Sequence, residues 1–331
     1  MSDNITRRAL LRHGALAATL LPFASPRLAL AQEPYPSRPI KWVVPYLAGT
    51  GPDTTTRILA EAVGPLLGQP VIIDNRAGAA GNIGARVVAK AAPDGYTWIY
   101  SAAPMAANMH MYKNPGYDAL KDFRHIMRLA SSDIVVVVNA KSNIRSMQEL
   151  VAQARAQKGQ MNYASGGVGT PSHLGVEMML SAAGAQATHV PYKGASELVN
   201  AVIGDQVSFG APIFSVAYPL IQSGQLRALA VAGARRNPVL PEVPTLAEQN
   251  IQGAQLTSWG GISVPAGTPD AIVEHIRAAF QQALKQPKTI ALLQQQGGLV
   301  DMQDSAAFVQ GFRQEMAFTE AMMKKVGLEA M

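Results

Sequence analysis

The amino-acid sequence predicts an α/β protein with two lobes, each built around a largely parallel sheet. From residue 39 onward, short apolar runs alternate with amphipathic helical patterns, which is typical of strands and helices that follow one another along the chain. The alternation occurs in two series, one beginning near residue 39 and the other near residue 133. The 331 residues are also enough for two domains of ordinary size.

The first series begins with the apolar run 40–44, which predicts a strand that leads into a glycine-containing loop. A helix follows, and we expect Gly68 and Pro70 to end it. Its apolar stripe consists of Ile58, Leu59, Ala62, Val63, Leu66 and Leu67. Residues 71–73 and 96–100 are predicted strands. The helix between them has an apolar stripe of Ile83, Val87, Val88 and Ala91.

The second series opens with the run 134–138, whose continuous apolar character is expected of a strand covered on both faces. Further helices are predicted at 146–157, 172–183, 195–203 and 213–222, and further strands at 161–164, 187–190, 207–210 and 226–232. A last strand is predicted at 256–264, with helices from Pro269 onward. Because this C-terminal segment is too helical to be a domain alone, we expect it to pack on the first unit. The predicted lobes are therefore residues 32–130 with 254–331, and residues 131–253.

The N-terminal segment predicts a twin-arginine export signal. Arg7 and Arg8 precede an apolar stretch over 15–24, and the small-residue pattern Ala29-Leu30-Ala31 resembles a cleavage site. The apolar stretch is too short to cross a bilayer. The alternative is a short buried helix. An export signal over residues 1–31, cleaved after Ala31, predicts a periplasmic protein.

Composition excludes several classes of function. The chain has a formal net charge of +6, but four arginines and one aspartate lie in the segment up to Ala31, so half of that charge belongs to the predicted signal. The other basic residues are scattered, and no nucleic-acid partner is expected. The absence of cysteine excludes disulfides, thiolate metal sites, a cysteine nucleophile and a lipid-modified cysteine.

Two predicted strands lead into similar loops that open a helix. Residues 46–53 read YLAGTGPD and residues 165–172 read SGGVGTPS. Glycine allows close approach to a ligand, and a proline next to Asp or Ser favours a helix start. The first amides of a helix have no internal partner and lie at the positive end of its dipole. Each loop is therefore a candidate anion site without lysine or arginine. The alternative is two tight turns that bind no ligand.

No catalytic, metal or cofactor site is predicted. His173 and Glu177 are spaced to share one helix face, either as metal ligands or in a hydrogen bond, but no third ligand accompanies them. Nucleotide loops of the G-K-[ST] and G-x-G-x-x-G types are absent, as is G-x-S-x-G. Lys193 either reaches the cleft or is solvated. An exported hydrolase of small esters or amides that depends on Ser165 is an alternative function.

The sequence resembles the Bug (Bordetella uptake gene) family, the solute-binding receptors of tripartite tricarboxylate transporters. The matching stretches occur in order along the chain: Val44-Pro45-Tyr46-Leu47-Ala48-Gly49, Asp74-Asn75-Arg76, Gly81-Asn82-Ile83-Gly84, Ala91-Ala92-Pro93-Asp94-Gly95-Tyr96, Gly169-Thr170-Pro171-Ser172-His173-Leu174, Val190-Pro191-Tyr192-Lys193-Gly194, Leu226-Arg227-Ala228-Leu229-Ala230, Pro241-Glu242-Val243-Pro244-Thr245 and Pro265-Ala266-Gly267-Thr268-Pro269. This resemblance implies a type II periplasmic-binding-protein fold, a small carboxylate ligand, membrane transporter subunits as partners, and a monomer. The order of the predicted elements itself predicts a hinge with two crossings, near residues 125–133 and 250–258. A ligand-sensing lobe for a membrane signalling protein is an alternative role.

The resemblance also implies the binding residues. They are Tyr46, Leu47, Ala48, Gly49, Thr50, Asp53, Ser165, Gly166, Val168, Gly169, Thr170, His173, Tyr192, Pro212 and Phe214. Val168 stands where the family often has asparagine. Pro212 stands about where amino-acid-binding members have an aspartate that would recognise an ammonium group. The ligand is therefore expected to lack an amine and to be an aromatic or dicarboxylic acid.

Overall fold

Two mixed sheets organise the computed structural model, which describes residues 34–168, 170–254, 256–326 and 329–331. The chain first forms β1 (Ile40–Val44), α1 (Gly51–Leu67), β2 (Val71–Asn75), α2 (Asn82–Ala89), β3 (Thr97–Ala102), α3 (Ala103–Met111) and β4 (Phe123–Asp133). It continues with β5 (Val135–Asn139), α4 (Met147–Gln157), β6 (Asn162–Ser165), α5 (Pro171–Ala182), β7 (Thr188–Pro191), α6 (Ala195–Ile203), β8 (Phe209–Gly210), α7 (Phe214–Gln222) and β9 (Leu226–Val231). It closes with β10 (Thr257–Pro265), α8 (Asp270–Ala283), α9 (Pro287–Gln295), β11 (Leu299–Gln303) and α10 (Ser305–Val326).

The two sheets define two lobes. The first has the strand order β11-β4-β10-β3-β1-β2 and the second has the order β7-β6-β8-β5-β9. The C-terminal segment thus returns to the first sheet, as expected. The predicted export signal over residues 1–31 lies outside the described residues. Within them, no helix is both long and apolar enough to cross a membrane.

The predicted two-lobed α/β fold is confirmed, but the sheets are mixed and not parallel throughout. β1 pairs in parallel with β2 and β3, whereas β10 is antiparallel to β3 and β4. β5 is likewise antiparallel to β8 and β9. The reason is that β10 and β5 each enter their sheet from the other lobe. They therefore run opposite to the strands that lie beside them.

The two crossings between the lobes lie next to each other. Only Ile134 separates the end of β4 from the start of β5, and Leu256 directly precedes β10. The Ala232 amide donates to the Ile134 carbonyl at 2.7 Å, and the Ala232 carbonyl accepts from the Leu256 amide at 3.0 Å. Ala232, which follows β9, therefore links the crossing at Ile134 to the crossing at Leu256.

Helix packing follows the predicted pattern in α1 and departs from it in α2. α1 buries Leu59, Val63 and Leu67 and ends at Gly68, which has a left-handed φ of 68°. In α2, by contrast, Ile83 and Val87 are exposed. Its small residues face inward instead, because a Cβ at Gly84 would lie only 2.9 Å from Pro45. The inward stripe predicted for this helix is therefore wrong at Ile83 and Val87.

Candidate functional site

The two glycine loops form the same hydrogen-bonded turn. Residues 46–50 are called the first loop and residues 166–170 the second loop. In the first, the Thr50 amide and hydroxyl donate to the Leu47 carbonyl at 3.3 and 2.7 Å. In the second, the Thr170 amide and hydroxyl donate to the Gly167 carbonyl at the same two distances. Each threonine directly precedes a helix, so the pattern shared by the two sequences is also shared by their backbones.

Both helices that follow the loops begin near the junction of the lobes. α1 starts at Gly51, where a Cβ would lie 2.6 Å from Ser215 Oγ at the start of α7. In α5, a Cβ at Gly175 would lie 3.4 Å from Leu256 and 3.8 Å from Ile134, the two crossing residues. The N-terminal halves of both helices therefore lie close to the junction of the lobes.

The structure turns the Asp53 side chain away from solvent and toward the first loop. Its carboxylate is only 2% exposed and accepts from the Gly49 amide at 2.8 Å, from Arg57 Nε at 3.0 Å and from Asn75 Nδ2 at 2.9 Å. Burial raises the pKa of Asp53, but the hydrogen bonds from Arg57, Gly49 and Asn75 outweigh it and hold the pKa below its usual value. Asp53 therefore stabilises the loop, and its contact with a ligand stays a prediction.

The first loop retains a small set of free donors. The Gly49 amide is already used by Asp53, whereas in the described part of the chain no hydrogen bond involves the amides of Leu47 and Ala48. The Leu47 side chain is 64% exposed. Gly49 has φ of +80°, which a residue with a Cβ adopts only with strain. The exposed tip of this loop thus combines backbone donors with an apolar side chain.

Tyr46 packs its ring on the core of the first lobe. Its hydroxyl is buried, and no atom among the described residues accepts its hydrogen bond. Burial, and secondarily the neighbouring Tyr100, raise the pKa of Tyr46, so the hydroxyl keeps its proton. A buried donor without an acceptor is costly and unusual in a folded protein.

The second loop uses most of its polar groups internally. Ser165 is fully buried, and its Oγ accepts from the Gly167 amide at 3.1 Å. The Gly166 amide donates to Ser172 Oγ at 2.8 Å. The Ser165 hydroxyl and the Gly166 amide therefore bond within the protein, and their contact with a ligand stays a prediction. Val168 remains 40% exposed, while Gly169 lies outside the described residues.

A cluster of aromatic and polar side chains lies beneath the second loop. His173 is 5% exposed and stacks on His189 with ring centroids 4.0 Å apart. His189 Nε2 lies 2.6 Å from Ser165 Oγ, and the Tyr163 hydroxyl donates to Glu177 at 2.5 Å. Burial lowers the pKa of both histidines to about 4. His173 is therefore a buried, neutral residue beneath the loop, and its contact with a ligand stays a prediction.

The remaining predicted residues pack within the second lobe. Tyr192 is half-buried and donates its hydroxyl to Gln206 at 3.3 Å, while Phe214 is fully buried and stacks on Tyr218. Pro212 is buried, and its carbonyl accepts from the Val135 amide. Lys193 is exposed, in agreement with the solvated alternative. Among the described residues, no group of three or more acidic or histidine side chains is placed to hold a metal ion.

Sequence reasoning missed the residues that hold the loops from elsewhere in the chain. Asn75 reaches the Asp53 carboxylate from the end of β2, and His189 reaches Ser165 from β7. The motif Asp74-Asn75-Arg76 drew attention to Asn75, although the sequence did not show that Asn75 bonds to Asp53. The second depends on the parallel register that sets Tyr163 opposite His189, which no local pattern reveals.

Two α/β lobes joined by two adjacent crossings, with a glycine turn at a helix start in each lobe, define the class of two-lobed binding proteins. The chain belongs to the tripartite tricarboxylate transporter receptor family, whose family model matches residues 55–328. The family predicted from the sequence motifs is confirmed. The chain is accordingly a periplasmic-type solute-binding receptor.

Relatives of the chain agree with this assignment. Protein BugT of Bordetella pertussis is 32% identical over 270 residues, which cover 81% of this chain and 83% of BugT. A Rhodopseudomonas palustris protein solved with adipate superimposes with a TM-score of 0.84 at 29% identity, covering 90% of this chain and 100% of that one. MatC from the same organism, solved with malate, superimposes with a TM-score of 0.78 at 28% identity, covering 87% and 99%.

Proposed function

We propose that this protein captures a small carboxylate without an amine between its lobes and delivers it, as a monomer, to the membrane subunits of a tripartite tricarboxylate transporter. The observation that carries the proposal is the matched pair of turns closed by Thr50 and Thr170. Each turn is followed by a helix N-terminus, where backbone donors and the helix dipole favour an anion.

Electrostatics alone do not suffice for tight binding. A helix N-terminus contributes about 0.3–2 kcal/mol, whereas micromolar affinity corresponds to about 8 kcal/mol. The remainder must come from hydrogen bonds and apolar contact. Leu47 and Val168 supply exposed apolar side chains at the tips of the two loops, which suits a ligand with a carbon skeleton between or beside its carboxylates.

Two features near the loops support a ligand without an amine. Asp53 is committed to Gly49, Arg57 and Asn75, so it has no free charge for an ammonium group. The segment 211–214 is apolar and buried apart from the half-buried Ile213. The relatives solved with adipate and malate support a dicarboxylate and make adipate a suitable probe.

Binding without turnover fits the geometry of Ser165. Its distance of 2.6 Å to His189 resembles a nucleophile and base, but the serine is fully buried and its hydroxyl lies within hydrogen-bond reach of both the amide and the carbonyl of Gly167. A substrate carbonyl has no access to it. We therefore do not favour the exported hydrolase.

Hinge closure and export complete the proposal. We place the lobes at residues 32–130 with 254–331 and at residues 131–253, and we expect them to close on the ligand about the two crossings. We further propose twin-arginine export with cleavage after Ala31. N-terminal sequencing of the periplasmic protein tests the cleavage site. The double substitution Arg7→Lys and Arg8→Lys is expected to block export.

The central test is a calorimetric and thermal-shift screen of mono-, di- and tricarboxylates, aromatic acids and amino acids. Ligand binding to the folded state should raise Tm. Saturable binding of a carboxylate without product formation supports the proposal. Preferential binding of aspartate or glutamate would show that the ligand carries an amine. Capture of a membrane sensor in place of transporter subunits would instead support the sensing role.

A further inference from the structure

The buried hydroxyl of Ser165 contacts the backbone of the second loop from below. Ser165 Oγ accepts from the Gly167 amide at 3.1 Å and lies 3.0 Å from the Gly167 carbonyl. The same oxygen lies 2.6 Å from His189 Nε2, so three groups surround it. Since Ser165 is fully buried, solvent does not compete for these contacts.

The hydroxyl has one proton for two acceptors. If His189 Nε2 carries no hydrogen, the Ser165 proton points to Nε2 and the Gly167 carbonyl loses this donor. If Nε2 carries a hydrogen, it donates to Ser165, whose own proton then reaches Gly167. In either arrangement the imidazole fixes the direction of the hydroxyl.

We propose that His189 is a positioning residue that sets the shape of the second loop through Ser165. This inference rests on the proposed function, because the loop is the binding element. The imidazole touches Ser165 and not the loop tip, so its effect on a ligand passes through Gly167 to the neighbouring Val168.

The surroundings hold the imidazole in one orientation. Its ring stacks between His173 on α5, at 4.0 Å, and Tyr163 on β6, at 5.0 Å. The parallel pairing of β6 with β7 sets Tyr163 opposite His189 and brings Ser165 one pair further along. The titratable groups that face it are His173, Glu177 and Tyr163, and the tyrosine already donates to Glu177.

The loops differ in how they are held. A buried carboxylate, Asp53, compensated by Arg57, closes the first loop. Neutral groups hold the second loop: Ser172, which accepts from the Gly166 amide, and the pair Ser165 and His189. Replacement of His189 is therefore expected to alter the loop without removing a charge from the anion site.

Amide hydrogen exchange, in the wild type and in two His189 variants, tests the inference without a ligand. The Gly167 amide donates to Ser165, whereas the Ala48 amide at the tip of the first loop has no partner among the described residues. Gly167 is therefore expected to exchange its amide hydrogen at least tenfold more slowly than Ala48. His189→Ala should speed the exchange of the Gly167 amide, and His189→Gln should restore slow exchange. Exchange of Gly167 as fast as that of Ala48 in the wild type, or unchanged exchange of Gly167 in folded His189→Ala, would overturn the proposal.

Calorimetry with adipate gives the functional readout. We expect His189→Ala and Ser165→Ala each to weaken adipate binding at least tenfold. The double variant should bind no more weakly than the weaker single variant, because one contact is removed twice. His189→Gln should stay within threefold of the wild type, and His110→Ala, on α3 of the other lobe, should bind normally. If the fold-losses in adipate affinity of the two single variants multiply in the double variant, the two residues act independently. A wild type that binds none of the screened carboxylates contradicts the proposed function, while the exchange experiment still decides the role of His189.

Discussion

The Gly49 amide donates a hydrogen bond of 2.8 Å to the Asp53 carboxylate, four residues further along the chain. The glycine turn is thereby closed onto the first turn of its own helix. The second loop has a counterpart, since the Gly166 amide donates a hydrogen bond of 2.8 Å to Ser172 Oγ. Each loop is therefore held in part by a side chain from the start of the following helix.

Asp53→Asn should destabilise the protein by about 2 kcal/mol. The amide keeps the size of the side chain but loses the charge that Arg57 and the Gly49 amide contact. Urea unfolding measures the loss, and adipate calorimetry should show weaker binding. Asp270→Asn is the control, because that residue is 91% exposed in its pair with Arg124 and should cost less than about 1 kcal/mol. Equal stability of the two variants would contradict the role assigned to Asp53.

Gly49→Ala should cost about 1–2 kcal/mol, because its φ of +80° strains any residue with a Cβ. Gly184→Ala is a matched control with φ of +57°, and at both sites a Cβ would meet nothing within 4 Å. Both variants should therefore lose similar stability in urea. Only Gly49→Ala should weaken adipate binding. If the two variants bind adipate equally well, the first loop does not belong to the binding site.

Gly51→Val tests closure of the lobes. A Cβ at this position would lie 2.6 Å from Ser215 of the second lobe, so the valine side chain should keep the lobes apart. We expect adipate affinity to fall about tenfold, a loss of about 1.4 kcal/mol. Small-angle X-ray scattering with adipate should show a larger radius of gyration than the wild type. Gly311→Val on α10, where a Cβ has open space, should leave both measurements unchanged.

Acid should destabilise the protein between pH 6.5 and 4. Burial lowers the pKa of His125, His173 and His189 to about 4, whereas their unfolded value is 6.5. The unfolded chain therefore takes up protons first, and this contribution to stability is present above pH 6.5 and lost as the pH falls toward 4. Calorimetry from pH 7.5 to 4.5 should show a falling Tm. A constant Tm over that range would mean that the three histidines are not buried in their neutral form.

Glu315 should make the protein less stable as the pH rises, which is opposite to the effect of the three histidines. Burial raises its pKa to about 7, although the Trp259 hydrogen bond and the Arg128 charge lower it. The resulting stability is present below the unfolded pKa of 4.5 and lost as the pH rises through 7. Glu315→Gln should therefore raise Tm at pH 8 relative to the wild type and have little effect at pH 4.5. A lower Tm at pH 8 would show that attraction to the Arg128 charge outweighs the cost of burying Glu315.

Most of the fold was predictable because its signals are local. The helix α6 has the predicted bounds, and α1 ends at Gly68 as its glycine and proline indicated. The sequence did not predict β4, α3 or β11. Nor did it reveal the antiparallel direction of β10, because strand direction depends on the lobe from which the chain arrives and not on residue type.

The candidate site was predictable only in part. By itself the sequence determined the family, the two glycine turns and the helix starts that follow them, because these depend on residues within about four positions of one another. Only the tertiary structure decided which side chains face inward. Asp53 meets Asn75 across 22 positions and Ser165 meets His189 across 24, so strand pairing alone brings them together. Burial of these polar groups then requires that they bond to one another, which makes them supports of the loops and leaves the backbone at the loop tips as the candidate contact for an anion.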